Sequence, residues 1–264
     1  MSTQTSPELK TANRDGVNLR YLDVGSGEPA LVFIHGWCCN QAMWNDQIEA
    51  FARKHRVISV DLRGHGESDK PDQDYDIAGF AEDMAWLIKE IGLERPVLVG
   101  HSMGGVTTLK LLRKHPDIAR AAVYVDAGIM PFPEEMRPLL DQTIAALKSS
   151  AYREVASNVV KQFLFREESP AELRDEVAAS MAEAPQRVMH TAIASTIDEA
   201  NYPPGAVPVP SLFVRAATLA ATEEQIKERY PGMEIVSMDA GHFVHMEKPA
   251  EFNAILSRFL EKLA

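Results

Sequence analysis

The chain reads as an α/β protein: a mostly parallel sheet with helices on both faces and a helical insertion past its middle. Three observations predict this. Short apolar runs alternate with amphipathic stretches through the first 128 residues, the pattern of strands joined by crossover helices. The alternation stops between about residues 131 and 201, where only helical spacing is found, and resumes from residue 209. A length of 264 residues, with 45% apolar and 25% charged residues, suits one such domain carrying an insertion, or two small domains. A chain this long buries a sizeable core without disulfides or structural metal.

The elements follow in order. Residues 8–12 and 17–24 flank Asp15-Gly16, a hairpin signal. Residues 30–34 are a short apolar run, read as a buried strand. Residues 43–51 form a short helix with Met43, Gln47 and Phe51 on one face, and 56–61 the next strand. The clearest helix is 76–91. Ile77, Phe80, Ala81, Met84, Leu87, Ile88 and Ile91 make one apolar stripe, Asp76 can cap its start, and Gly92 can stop its end. Residues 96–100 read as a strand, 103–114 as a helix, and 121–125 as a strand. Four helices follow, at 136–147, 152–165, 171–181 and 186–197, punctuated by Pro131, Pro133, Pro170, Pro185, Pro203 and Pro204. Strands at 209–214 and 234–238 and helices at 223–230 and 249–263 complete the pattern. The organisation is a core domain of residues 1–128 and 207–264 with a helical cap of residues 129–206.

Charge and cysteine content exclude several function classes. Against 27 basic residues stand 38 acidic ones, a net charge of −11. Nucleic-acid and anionic-membrane partners both need a basic face, so neither is expected. No uncharged apolar run is long enough to span a bilayer, and the Met1–Pro7 stretch lacks the basic and apolar regions of a signal peptide. The two cysteines, Cys38 and Cys39, are adjacent, a geometry that strains a disulfide, and no Cys/His spacing reads as a zinc site. A reducing, cytoplasmic location is expected. No internal repeat and no feature specifying an oligomer is found.

Gly100-His101-Ser102-Met103-Gly104 matches G-x-S-x-G between a strand and a helix. The turn there is too tight for side chains at the flanking positions. It exposes the serine hydroxyl above the sheet, and the positive end of the following helix faces any oxyanion. A serine hydroxyl needs a general base. His242, in Asp239-Ala240-Gly241-His242-Phe243, follows the last strand and can reach the carboxyl edge of the sheet; His245, three residues on, is the rival. His101 is expected to support the turn. An oxyanion hole needs two backbone donors. The N–H of Met103 is one. The other is the N–H of Trp37 in the loop His35-Gly36-Trp37-Cys38, where Gly36 lets the backbone approach a substrate.

His35-Gly36-Trp37, Asp61-Leu62-Arg63-Gly64-His65-Gly66-Glu67-Ser68, Gly100-His101-Ser102-Met103-Gly104-Gly105 and Gly241-His242 together resemble the α/β-hydrolase fold superfamily in motif order. The resemblance covers nearly the whole chain outside the insertion, which is similar to a cap domain. It implies the α/β-hydrolase fold with a mostly parallel sheet of eight strands. It also implies catalytic residues in the order serine, acid, histidine, and a structural role for the loop of Arg63 and His65.

The acid departs from the common pattern. Many members carry Asp after the seventh strand, where this chain has Leu219, and no carboxylate follows until Glu223 and Glu224 at a helix start. Asp126 ends the sixth strand and faces the same edge, and branches including certain dehalogenases, a mycotoxin lactonase and cofactor-free dioxygenases use an acid there. Asp126 is therefore taken as the partner of His242, with Glu223 and a two-residue centre as alternatives.

Dehalogenases and epoxide hydrolases of this fold carry Asp at the elbow, so Ser102 points to acyl transfer. The reading is a serine carboxylic-ester hydrolase, an esterase or lactonase, that needs no metal or organic cofactor. Residues 127–206 hold 12 acidic and 7 basic side chains, which favours a small-to-medium uncharged ester or lactone as substrate. His35, Gly36, Phe243, Met130 and Phe132 are the expected pocket residues. A cofactor-free dioxygenase or C–C bond hydrolase on the same fold, and a non-catalytic receptor, are the alternatives.

Overall fold

A computed structural model describes residues 8–263; the Met1–Pro7 stretch read for a leader lies outside them. Among the described residues the first strands are β1 (Lys10–Arg14) and β2 (Val17–Val24), an antiparallel hairpin. Asp15 and Gly16 both have positive φ, 52° and 86°, as the two-residue turn between right-twisted strands requires. Six strands follow: β3 (Leu31–Ile34), β4 (Val57–Asp61), β5 (Val97–His101), β6 (Ala121–Val125), β7 (Ser211–Ala216) and β8 (Glu234–Met238). One sheet joins them in the order β1-β2-β4-β3-β5-β6-β7-β8, parallel from β4 to β8. This is the α/β-hydrolase fold the sequence predicts.

The apolar runs of β3, β5 and β6 are buried on both faces, so they are continuous rather than alternating. Their side chains nonetheless sort by parity. Leu98, Ala122 and Tyr124 join one apolar cluster, and Val97, Val99, Val123 and Val125 join the cluster on the opposite face. Helix α1 (Asn45–Phe51) and the C-terminal α10 (Pro249–Glu261) cover the second face with Ile48, Phe51, Phe252 and Leu256. Helices α2 (Ile77–Glu90) and α3 (Met103–Lys114) cover the first with Phe80, Met84, Leu109 and Leu112. The Asp76 carboxylate caps α2 by accepting from the Gly79 N–H at 2.6 Å.

Between β6 and β7 the chain forms α4 (Arg137–Leu147), α5 (Tyr152–Val159), α6 (Ala171–Ala182) and α7 (Gln186–Thr196). Leu147, Ala156, Val177, Met181, Val188 and Met189 share one apolar cluster with α2 and α3. The expected helix 152–165 is two pieces, because α5 passes at Val160 into a single π turn, Val160–Leu164. Pro210 has no N–H to place in a central ladder, so β7 starts at Ser211. Beyond β7 lie α8 (Glu223–Arg229) and a four-residue α9 (Val244–Glu247), the latter too short to leave a period in the sequence. No helix of the described residues is long and apolar enough to cross a membrane.

Candidate active site

Parallel pairing sets Ser102 beside Asp126. Register pairs His101 of β5 with Val125 of β6, so the next residue on each strand emerges at the same carboxyl edge. Ser102 has φ 50° and ψ −117°, and Asp126 has φ 40°, a region side chains rarely adopt. Both are held there by the ladder: Ser102 N–H donates to the Val125 carbonyl at 3.0 Å, and Asp126 N–H to the Val214 carbonyl at 2.8 Å.

The elbow glycine Gly104 is required by space rather than by φ. A Cβ built there would lie 2.2 Å from the Ile34 carbonyl oxygen of the central strand β3. That oxygen is fixed backbone, so Gly104→Ala should cost about 3 kcal/mol, at the upper end of overpacking. For a chain of this size the melting temperature should drop by roughly 6–12 °C. An unchanged thermal melt would show that the α3 start can shift away from β3.

Asp126 is 4% exposed, and its two carboxylate oxygens take different partners. Oδ1 accepts from the Ala216 N–H at 2.9 Å and Oδ2 meets His242 Nδ1 at 2.6 Å. With Nδ1 donating to the carboxylate, the lone pair of a neutral His242 ring resides on Nε2. The main chain of His242 is pinned on both sides. Its carbonyl accepts from His101 Nε2 at 3.0 Å, and its N–H donates to the Leu164 carbonyl at 2.9 Å. The His101 ring, adjacent to Ser102 in sequence, lies 4.6 Å from the His242 ring. Burial holds His101 well below the usual imidazole range, so it is neutral and acts as a donor from Nε2.

The loop after β3 runs alongside the elbow. A Cβ on Gly36 would stand 3.2 Å from Ser102 Cβ and 2.9 Å from His101 Nδ1, so glycine permits this approach. Trp37 follows, and its indole Nε1–H donates to the Met189 carbonyl of α7 at 2.8 Å. Met103 N–H belongs to the first turn of α3, where backbone donors have no helical partner.

The other residues singled out by sequence are placed as follows. His35 does not face a pocket: it is 1% exposed, Nδ1 bonds the Gly36 carbonyl at 2.8 Å, and Nε2 accepts from Leu62 N–H at 3.0 Å. Both nitrogens hold the loop, which leaves none for a substrate. Phe243 is buried in packing, its ring stacked on Phe165 at 5.2 Å and 14°. Met130 and Phe132 line a groove of about 650 Å³ with Pro133, Pro204, Ala221 and Arg229, and Ser102 and His242 are not among its walls. His245 is buried, stacked on Trp44 at 4.2 Å and packed against the His101 ring at 4.7 Å. Glu223 accepts from Ser237 Oγ at 3.0 Å on the surface and does not meet His242. Leu164, whose carbonyl takes the His242 N–H, carried no sequence signal, because it lies 78 residues away in a stretch readable only as helix.

An elbow serine, a His–Asp pair at one edge of an eight-stranded α/β sheet, and helices inserted after β6 define an α/β hydrolase. A family model described as "Alpha/beta hydrolase family" matches residues 31–255, and the chain belongs to that family. The "AB hydrolase superfamily protein YisY" of Bacillus subtilis is 29% identical, over 92% of this chain and 95% of its own. Solved relatives include esterase-like and lactonase-like proteins. A thermophilic esterase from Thermogutta terrifontis superposes with TM-score 0.83 at 24% identity, over 97% of both chains, and so shares the fold. Est816, described as an N-acyl homoserine lactone degrading enzyme, superposes with TM-score 0.78 at 25% identity, over 95% of this chain and all of its own.

Proposed function

We propose that this hydrolase cleaves a carboxylic ester or lactone through an acyl-enzyme on Ser102. The observation that carries the reading is the 2.6 Å bond from His242 to Asp126 at the sheet edge where Ser102 stands in its strained turn. Ser102 Oγ attacks the carbonyl carbon while His242 Nε2 takes its proton. Asp126 fixes the tautomer and stabilises the imidazolium. The N–H groups of Trp37 and Met103 bind the oxyanion. His242 then protonates the leaving alcohol oxygen, and a water deprotonated by the same ring releases the acid and restores the serine.

The substrate class is a small-to-medium uncharged ester or lactone. The excess of acid in residues 127–206 disfavours an anionic substrate, and the likeness to a lactone-degrading enzyme supports a cyclic ester. Free, buried Cys38 and Cys39 support action in a reducing compartment, the cytoplasm.

Short and medium p-nitrophenyl esters, with lactones beside them, test this reading. The wild type should show saturable turnover, and Ser102→Ala should lower kcat by about 10⁴-fold or more. Turnover that survives loss of the hydroxyl would transfer the chemistry to the His242–Asp126 pair as a base, as in a cofactor-free oxygenase. Saturable binding of these esters without turnover would make the chain a receptor.

A further inference from the structure

Between β6 and β7, the short segment 164–169 touches the His242 loop. Leu164 ends the π turn, and its carbonyl, which no later turn of helix can satisfy, accepts the His242 N–H at 2.9 Å. Phe165 stacks on Phe243. Arg166 pairs with Asp239. The Arg166 N–H donates to Ser169 Oγ at 3.0 Å, and the same hydroxyl donates to Glu247 Oε2 at 2.6 Å. The remaining oxygen, Glu247 Oε1, is buried and lies against Gly241. A Cβ on Gly241 would stand 2.6 Å from it and 3.1 Å from the Leu164 carbonyl. Four residues of the insertion, Leu164, Phe165, Arg166 and Ser169, thus grip Asp239, Gly241, His242, Phe243 and Glu247.

We propose that residues 164–169 are a clamp that positions His242, closed by the Ser169–Glu247 hydrogen bond. The proposal rests on the reading of His242 as the base. A general base works only when held within about 0.5 Å of the productive geometry, and His242 lies beyond β8, where no strand ladder fixes it. Its backbone donor is satisfied by the insertion instead. π turns are frequent at functional sites, and this one ends at Leu164, whose carbonyl is left free by the helix end and is the partner of His242. Ser169 is 8% exposed and links a backbone N–H to a carboxylate. Its removal takes a partner from each of these partly buried groups, beside a buried carboxylate oxygen that has none. The segment then slides, and the His242 N–H loses its acceptor. Ser169 and Glu247 touch no reacting atom, so they are positioning residues. The same geometry makes this end of the insertion a fixed part of the site rather than a moving lid.

Three variants test the clamp: Ser169→Ala, Ser169→Thr and Glu247→Gln. Ser169→Ala should lower kcat about tenfold with KM unchanged, the cost of a sub-ångström misplacement. Ser169→Thr keeps the hydroxyl and should recover most of the rate. A second readout does not depend on turnover. The His242 Nδ1–H on its 2.6 Å bond to Asp126 should give a far-downfield proton resonance, and Ser169→Ala should broaden it by exchange with water. Glu247→Gln preserves shape and folding while weakening the acceptor, and should broaden the same proton. If both variants keep the wild-type kcat and a sharp proton, the clamp is overturned. If the wild type turns over no ester, the reading above fails, while the proton resonance still decides the clamp.

Discussion

Asp126→Asn is expected to lower kcat about 10⁴-fold with the fold intact, as for a triad acid converted to its amide. The geometry says why an isosteric change should be so costly. Asp126 Oδ1 accepts from the Ala216 N–H, so the asparagine oxygen stays on that side. The new amide NH₂ then faces His242 Nδ1, at the place where Oδ2 now lies 2.6 Å away. Two donors cannot share that contact, so the ring takes the tautomer with its proton on Nε2. A protonated Nε2 cannot accept the Ser102 proton. The surface carboxylate supplies the control: Glu223→Gln should leave kcat unchanged, because Glu223 bonds Ser237. Kinetics on the preferred ester, with a thermal melt of each variant, measure both effects. A larger loss in Glu223→Gln than in Asp126→Asn would remove Asp126 from the site.

Acid should unfold the protein well above the range of ordinary carboxylate titration. Burial pushes His35 down to about 4, and His65 and His245 to about 3, and holds His101 well below the usual value. In each case the folded state resists a proton that the unfolded chain accepts near pH 6.5. The unfolded state therefore binds more protons below that pH, and stability falls as pH falls. Each histidine contributes about 1.4 kcal/mol per pH unit once it is protonated only in the unfolded chain. Four together approach ~5 kcal/mol per unit, against a typical total of roughly 5–15 kcal/mol. Asp61, raised by burial, works in the opposite sense, one group against four. Urea midpoints should be level above pH 7 and drop steeply below pH 6. A level midpoint down to pH 4.5 would show that these rings gain solvent or partners on protonation.

Much of the fold was legible because its signals are local. Helix α3 and strands β6 and β8 have the boundaries read from periodicity alone. The serine elbow was legible too, since Gly104 must be glycine where a helix start presses on β3. Short elements escaped. The turn of α9 is four residues long and leaves no period, and the π turn inside 152–165 has apolar spacing indistinguishable from α-helix.

The sequence by itself determined that this chain is an α/β hydrolase with Ser102 in an elbow and His242 after the last strand. Which carboxylate meets His242 was decided by tertiary structure, because it depends on the register of β6 against β7, which points Asp126 at a histidine 116 residues away. Tertiary structure also removed His35 and Phe243 from the expected pocket, since the partners that occupy them, Leu62 and Phe165, come from other segments. It likewise brought Leu164 and Ser169 to the His242 loop. The physical reason is common to all of these. Periodicity and turn glycines record what a residue does to its own neighbours in the chain. A hydrogen bond across the sheet edge depends on how strands and helices align after they pack, and no residue type encodes that alone.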